Sequence, residues 1–314
     1  MILEKCTLCP HECKVNRESG KIGRCKAGKN VKIALASVHE FEEPCISGSQ
    51  GSGTVFFSNC NLSCVFCQNH KISAEGFGKE ITIEHLAEIF LHQQEKQVHN
   101  INLVSPTIYA AQIIEAIKIA KTKGLKIPIV YNSSGYESIE TIKMLEGYID
   151  IYMPDFKYAD DGLAEKYSGI KQYSKYAKTA ICQMYAQVGD VQFSEEGILQ
   201  KGVIVRHLVL PNHIKNTKAV LDWLSENMKN KVVVSLMAQY FPTHKAKQIP
   251  ELNRKLTKRE YEKVAEYLYE KDFKYGYIQE LRKSRRRICT GVWFERIKLH
   301  WTKKTDSCSK LVCF

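Results

Sequence analysis

Short, nearly all-apolar runs alternate along the chain with longer stretches of helical spacing. Residues 31–38, 54–59, 100–105, 127–132, 149–153, 202–210, 232–237 and 276–279 read as strands. Residues 83–94, 108–123, 138–146, 173–188, 217–228 and 257–270 read as helices; Leu86, Ile89 and Phe90 show the spacing in the first. Thr82 stands as an N-cap before that helix, Pro106 stops the strand ahead of the second, and Gly124 closes the second. Strands that are apolar on both faces imply a parallel sheet covered by helices. The fold class is therefore α/β, with six or more strand–helix repeats forming an open sheet or a barrel.

In such folds the chemistry gathers at the C-terminal ends of the strands. Here those ends read Asn59-Cys60, Ser105-Pro106-Thr107, Asn132-Ser133-Ser134-Gly135, Asp155 with Lys157, Arg206 with His207, and Gln239 with Tyr240. The first opens the stretch Cys60-x3-Cys64-x2-Cys67, with Phe66 directly before the last cysteine. Thiolates are soft ligands suited to iron–sulfur clusters, zinc or Cu(I). Three of them leave one corner of a 4Fe–4S cube open to another ligand, whereas electron-transfer clusters usually close all four with cysteine. A zinc loop that borrows a cysteine from elsewhere is the alternative.

A second set, Cys6-x2-Cys9-x3-Cys13-x11-Cys25, lies at the start of the chain, with Gly20, Gly23 and Gly28 supplying turns. Four thiolates complete either a tetrahedral zinc site or a closed cluster. His11 is a further candidate ligand, though the thiolates already suffice. The glycines of residues 48–53 are not followed by Gly-Lys-Ser/Thr, so they form no phosphate loop.

The 314 residues contain twelve cysteines and no apolar run of membrane-spanning length, and the first residues lack a signal-peptide core. The expectation is a soluble cytoplasmic protein whose cysteines serve metal rather than disulfides. Of the formal charge of +12, residues 282–314 carry +8, from ten Lys/Arg against two acids. The charge is a property of the tail. It argues against a nucleic-acid groove across the body.

Cys-x3-Cys-x2-Cys with an aromatic before the last cysteine resembles the signature of the radical S-adenosylmethionine (radical SAM) superfamily. From about residue 48 to 281 the chain resembles the pyruvate formate-lyase activating enzyme type, in a branch that also carries an N-terminal four-cysteine segment. The matching stretches are Gly51-Ser-Gly-Thr-Val-Phe-Phe57, Cys67-Gln-Asn69, Asn102-Leu-Val-Ser-Pro-Thr107, Pro128-Ile-Val-Tyr-Asn-Ser-Ser-Gly-Tyr136, Asp150-Ile-Tyr-Met-Pro-Asp-Phe-Lys157, Val205-Arg-His-Leu-Val-Leu-Pro211 and Ser235-Leu-Met-Ala-Gln-Tyr240. The resemblance implies a partial (β/α)6 barrel over residues 31–281, preceded by a metal-binding segment over 1–30. It implies a 4Fe–4S cluster on Cys60, Cys64 and Cys67 whose open iron chelates SAM. One electron then cleaves SAM to a 5′-deoxyadenosyl radical that abstracts hydrogen from a substrate. Phe66, Ser105, Thr107, Asn132, Ser134, Asp155, Arg206, His207 and Gln239 are the implied cofactor-side residues, with Tyr240 at the same mouth. Implied partners are an electron donor such as flavodoxin or ferredoxin and a protein that receives a glycyl radical. RNA or small-molecule modification, and a non-enzymatic iron–sulfur or zinc module, are the competing classes.

Related activating enzymes carry Gly-Gly-Glu after the second strand, where this chain has Val104-Ser105-Pro106-Thr107. Ser134-Gly135-Tyr136 resembles a glycyl-radical motif, but its place after a strand makes Gly135 a turn glycine. Residues 282–314 lack any period that would bury Trp293 and Trp301. One permitted codon set for residues 282–290, read one nucleotide later, gives Glu-Lys-Ala-Glu-Glu-Glu-Tyr-Val-Pro, which resembles how related chains end. The tail is read as a frameshift product, disordered or poorly packed, in preference to a basic binding tail.

Overall fold

A computed structural model describes residues 2–279 and the backbone of 290–291. After a turn-rich segment, β1 (Val31–His39) passes through the one-turn helix α1 (Pro44–Ser47) into β2 (Ser52–Phe57), its antiparallel partner. The cysteine loop follows, then α2 (His70–Ser73) and β3 (Lys79–Ile81), which pairs with β1. Strands and helices then alternate as α3 (Ile83–Glu95), β4 (Ile101–Val104), α4 (Ala110–Thr122), β5 (Ile129–Ser133), α5 (Ile139–Met144) and β6 (Ile151–Pro154). Two helices, α6 (Asp161–Ser168) and α7 (Tyr173–Val188), lead to β7 (Gln192–Phe193), which pairs with the start of β8 (Leu199–Leu208). The described elements end with α8 (Ile214–Met228), β9 (Val233–Met237), α9 (Lys258–Glu270), β10 (Gly276–Gln279) and β11 (Thr290–Gly291).

The strands run in the order β11-β10-β9-β8-β6-β5-β4-β2-β1-β3. From β2 through β10 every neighbouring pair is parallel. This is the expected α/β fold: a mostly parallel open sheet. The sequence pattern did not indicate the antiparallel edge of β1 and β3.

Register sorts the strand residues onto two faces. Val55, Leu103, Tyr131, Tyr152, Val205 and Val234 join the large core shared with the helices. Val130, Ile151, Met153, Ile204 and Val233 form a second core on the inner face, filled by Cys45 and Ile46 of α1 and by Tyr277. Side chains alternate along a strand, so the next inward residues toward the C-terminal ends are Asn132, Asp155, Arg206 and Ser235. The sheet thus changes from apolar to charged toward one end.

The helix ends follow local rules. Thr82 Oγ1 accepts from His85 N at 3.1 Å, as the sequence predicts, and Thr257 and Glu260 form a reciprocal capping box. Residues 2–30 dock on the barrel beside α4 and α5. Arg17, fully buried, donates from Nη1 to Ile108 O at 2.6 Å, and Thr141 Oγ1 donates to Leu8 O at 2.9 Å. Among the described residues no helix is long and apolar enough to cross a membrane. Apart from the backbone of 290–291, the readings of residues 282–314, including Trp293 and Trp301, lie outside the described residues.

Candidate active site

The cysteine loop begins where β2 ends. Asn59, at φ 69°, turns the chain sharply before Cys60. The loop is pinned to the end of α6: Ser63 N donates to Ser168 O at 3.1 Å and Val65 N to Tyr167 O at 2.8 Å. Cys64 Sγ lies 3.0 Å from Ser168 Oγ, and Cys67 Sγ lies 3.2 Å from Ser73 Oγ. Burial pushes the Cys60 thiol up to about 12 and the Cys64 thiol up to about 11; neighbouring thiols push the same way, and Lys157 opposes both. The sulfurs are therefore close enough to repel one another as thiolates, and a cation faces them. Yet among the described residues no three His, Cys, Asp or Glu side chains converge closely enough to hold a single metal ion.

The strand ends surround this loop. Ser134 Oγ donates to Asn61 Oδ1 at 3.4 Å, and Asn61 Nδ2 donates to Tyr136 O at 2.7 Å. Gln68 Nε2 donates to the Gln239 carbonyl at 3.2 Å, which ties the loop to the end of β9. Lys157 is paired with Asp155. Arg206 donates to Asp155 Oδ1 at 3.1 Å, Glu42 Oε2 at 3.2 Å and Asn132 Oδ1 at 2.6 Å. Burial pushes the Asp155 carboxyl up, but Lys157 and Arg206 outweigh it and hold the group below the usual carboxylate range.

Ser105 takes φ 59°, the left-handed region that favours glycine. Ser105 thus holds, without being glycine, a backbone conformation that glycine adopts most readily. Thr107 is buried, and its hydroxyl donates to Glu137 Oε1 at 2.7 Å.

Three predicted residues have other partners. His207 follows an inward residue and so faces outward, where Nδ1 lies 2.6 Å from Phe156 O and Nε2 lies 2.9 Å from Thr217 Oγ1. It belongs to the packing between β8 and α8, not to the mouth. Tyr240 donates to Leu252 O at 2.6 Å, and Phe66 is buried edge-on against its ring at 6.0 Å. Both support the loop from behind.

Sequence reasoning missed Glu42, Glu43, Glu137 and Tyr173 as parts of the site. The Tyr173 hydroxyl donates toward Ser134 O (2.9 Å) and Asp155 O (2.8 Å) and accepts from Lys157 N at 2.9 Å, joining two strand ends.

The family described as the Radical SAM superfamily matches residues 54–181, which include all three loop cysteines. An uncharacterized protein of Methanocaldococcus jannaschii is 34% identical over 275 residues, covering 84% of this chain and 74% of that one. The chain belongs to the radical SAM superfamily. HydG, a maturase of the FeFe-hydrogenase, has a similar fold: TM-score 0.50 and 16% identity, covering 72% of this chain and 51% of HydG. A radical SAM methyltransferase from Sphaerobacter thermophilus gives TM-score 0.49 and 12% identity, covering 71% of this chain and 64% of that one. The chain spans about half the length of several solved structures it matches, 45% of a peptide-bound Streptococcus suis SuiB and 51% of HydG.

In this radical SAM protein Gly135 is required at the turn after β5. Its φ is +75°, and a Cβ there would overlap the Asp155 carbonyl oxygen and stand 3.1 Å from Tyr173 Oη. Gly135→Ala is expected to cost about 2–4 kcal/mol, from the strained backbone and the overpacking together. Thermal denaturation checks this; an unchanged midpoint would show that the turn relaxes freely.

Proposed function

We propose that this protein is an enzyme that cleaves S-adenosylmethionine reductively and uses the resulting radical to abstract hydrogen from a substrate. The observation that carries the reading is the placement of Cys60, Cys64 and Cys67 beyond β2, facing Lys157 and the polar ends of the neighbouring parallel strands. Cys60, Cys64 and Cys67 would hold a 4Fe–4S cluster, which would supply the electron for cleaving a C–S bond of SAM. Everything else falls to the chain's own side chains.

Lys157 brings a positive charge to a site that gathers thiolates and a carboxylate, and Asp155 fixes its direction. Ser105, Asn132, Ser134 and Gln239 offer hydrogen-bonding groups around the same mouth, while Phe66 and Tyr240 back the loop. Thr107 contributes by holding the turn after β4, since its hydroxyl is committed to Glu137. Arg206 and Asp155 brace the lower wall. The turn after β4 departs from the activating-enzyme pattern, so this reading covers SAM cleavage and hydrogen abstraction and does not extend to a glycyl-radical partner. A one-electron donor of the flavodoxin or ferredoxin class is part of the proposal. So is a second metal centre, iron–sulfur or zinc, on Cys6, Cys9, Cys13 and Cys25.

The test is direct. Anaerobically reconstituted, reduced protein should convert SAM to 5′-deoxyadenosine and methionine, and the variant with Cys60, Cys64 and Cys67 all replaced by Ala should not. Equal cleavage by that variant would show the assignment to be wrong.

A further inference from the structure

Outside the tail, the positive charge is concentrated in one segment. Residues 1–30 hold seven Lys/Arg against three acids, a net of +4, whereas residues 31–281 are net neutral. Within the segment Lys14 pairs with Glu12 at 3.9 Å and Lys29 with Glu18 at 2.9 Å, and Arg17 is fully buried. Lys21, Arg24 and Lys26 are exposed, and among the described residues no carboxylate pairs with them. Ile22, 56% exposed, stands between the first two. An exposed isoleucine alone is ordinary. Ringed by unpaired cations, it has the layout of a small interface, an apolar centre within a polar rim.

This patch adjoins the cysteine loop. Arg24 Nη2 donates to Gly169 O at 2.5 Å, and a Cβ on Gly169 would stand 3.0 Å from that nitrogen and 4.0 Å from Ser63 Cβ. Lys21 and Lys26 are within three residues of Arg24, so their Cα atoms lie at most about 11 Å from its own. Lys171, exposed and two residues beyond Gly169, lies at most about 7 Å from it by the same measure. It is loosely paired with Glu165 at 3.7 Å.

The loop has two sides. Asn61 and Gln68 tie one side to the strand ends, through Ser134 and Gln239. Ser63 and Val65 tie the other to the end of α6. Of residues 60–69 only Ser63 and Gln68 are exposed, and Gln68 is on the β9 side. Ser63 therefore opens onto the basic patch, next to the half-buried Cys64.

We propose that Lys21, Ile22, Arg24, Lys26 and Lys171 dock the acidic face of a small one-electron carrier protein of the flavodoxin class, beside Ser63 and away from the strand ends. This rests on the function proposed above, which needs such a donor and leaves the strand-end mouth to SAM and substrate. Electron carriers must bring their redox group close to the shared surface, and Ser63 is where the far side of the loop reaches it. Complementary charge speeds the encounter and fixes its orientation. A nucleic acid fits this patch less well, because residues 1–30 contain no Phe, Tyr or Trp on which a base could stack. An anionic membrane fits less well too, because the described residues of the segment form no amphipathic helix.

The test measures binding of oxidised flavodoxin, which has no electron to give, to the full reconstituted chain by calorimetry at low and high salt. Wild-type affinity should fall about ten-fold as salt rises, since exposed charges are screened. The Lys21→Glu/Lys171→Glu variant should bind about ten-fold more weakly at low salt, and Ile22→Asp should weaken binding at both salt concentrations. Both variants should keep wild-type SAM cleavage when reduced with dithionite, which needs no docking. Absence of binding by the wild type, indifference to salt, or unchanged affinity in the double variant would each overturn the proposal. So would tighter binding of single-stranded RNA or of phosphatidylserine vesicles that the double variant loses. Dithionite-driven cleavage together with any of these results defeats this inference alone. Salt-sensitive flavodoxin binding that the variants lose, in a protein that never cleaves SAM, defeats the proposed function alone.

Discussion

Replacing Arg206 with Ala is expected to destabilise the fold by about 3–5 kcal/mol, the cost of breaking a buried ion network from one side. The guanidinium reaches three elements at once: Asp155 after β6, Asn132 on β5 and Glu42 on the loop before α1. Both ends of its ion pairs are largely shielded, at 14% exposure for Arg206 and 12% for Glu42. Glu43 lies buried beside them with Oε2 unpartnered; burial pushes its carboxyl up while Arg206 opposes. Removing the cation strands these carboxylates on the inner face of the sheet. Arg206→Lys should recover little, because an ammonium cannot reproduce a fork that spans three acceptors.

A pH arm separates charge from packing. In the wild type the Asp155 carboxyl is held below its ordinary value, so its contribution to stability is present above the unfolded value, near 3.9, and is lost as pH falls through the folded one. The variant lacks much of this contribution and must neutralise its buried acids. The gap between wild type and variant should therefore be widest near neutrality and should narrow toward about pH 4. Urea denaturation over that range measures it. A gap that stays constant would mean that lost packing, not lost charge, is responsible.

The strands were legible because each is apolar on both faces, and for the same reason their inward and outward faces were not. Arg206 and His207 both stand at a strand end, yet one step of alternation sends Arg206 to the inner face and His207 into the packing against α8. Counting alternate positions back from Arg206 through Ile204 would have separated the two. Helix α6 was missed because Asp161-Gly-Leu-Ala-Glu-Lys-Tyr-Ser168 is short and half polar, although its last residue touches Cys64. Glu42 is remote in sequence from Arg206, and its role depends on a one-turn helix that folds inside the sheet. Nothing local announces such a contact. The cysteine loop was readable because metal ligation from one loop forces its ligands to be near neighbours in sequence.

Glu137→Gln is expected to make the protein more stable near neutral pH and to flatten its pH dependence. Glu137 is fully buried behind the turn that follows β5. Thr107 Oγ1 donates to one carboxyl oxygen at 2.7 Å and Tyr131 Oη to the other at 3.3 Å. Burial pushes the carboxyl up to about 7, and the hydrogen bonds from Thr107, Ser133 and Tyr131 only partly oppose it. A raised acid binds its proton more tightly in the folded state than in the unfolded one. Stability therefore falls as pH rises from about 4.5 to about 7 and is level above that. A gap of that size corresponds to about 3 kcal/mol. Glutamine keeps the shape and carries no charge: its carbonyl oxygen still accepts from Thr107, and its amide donates to the Tyr131 hydroxyl, which can turn to accept. The variant should match the wild type near pH 4.5 and exceed it by up to about 3 kcal/mol near pH 8. Urea midpoints across that range decide the matter, and parallel curves for the two proteins would exclude Glu137 as the titrating group. Burial makes the carboxylate costly where it stands, and the same group holds Thr107, and with it the turn after β4, at the edge of the proposed SAM site. Natural proteins accept lost stability at such places when function depends on the geometry.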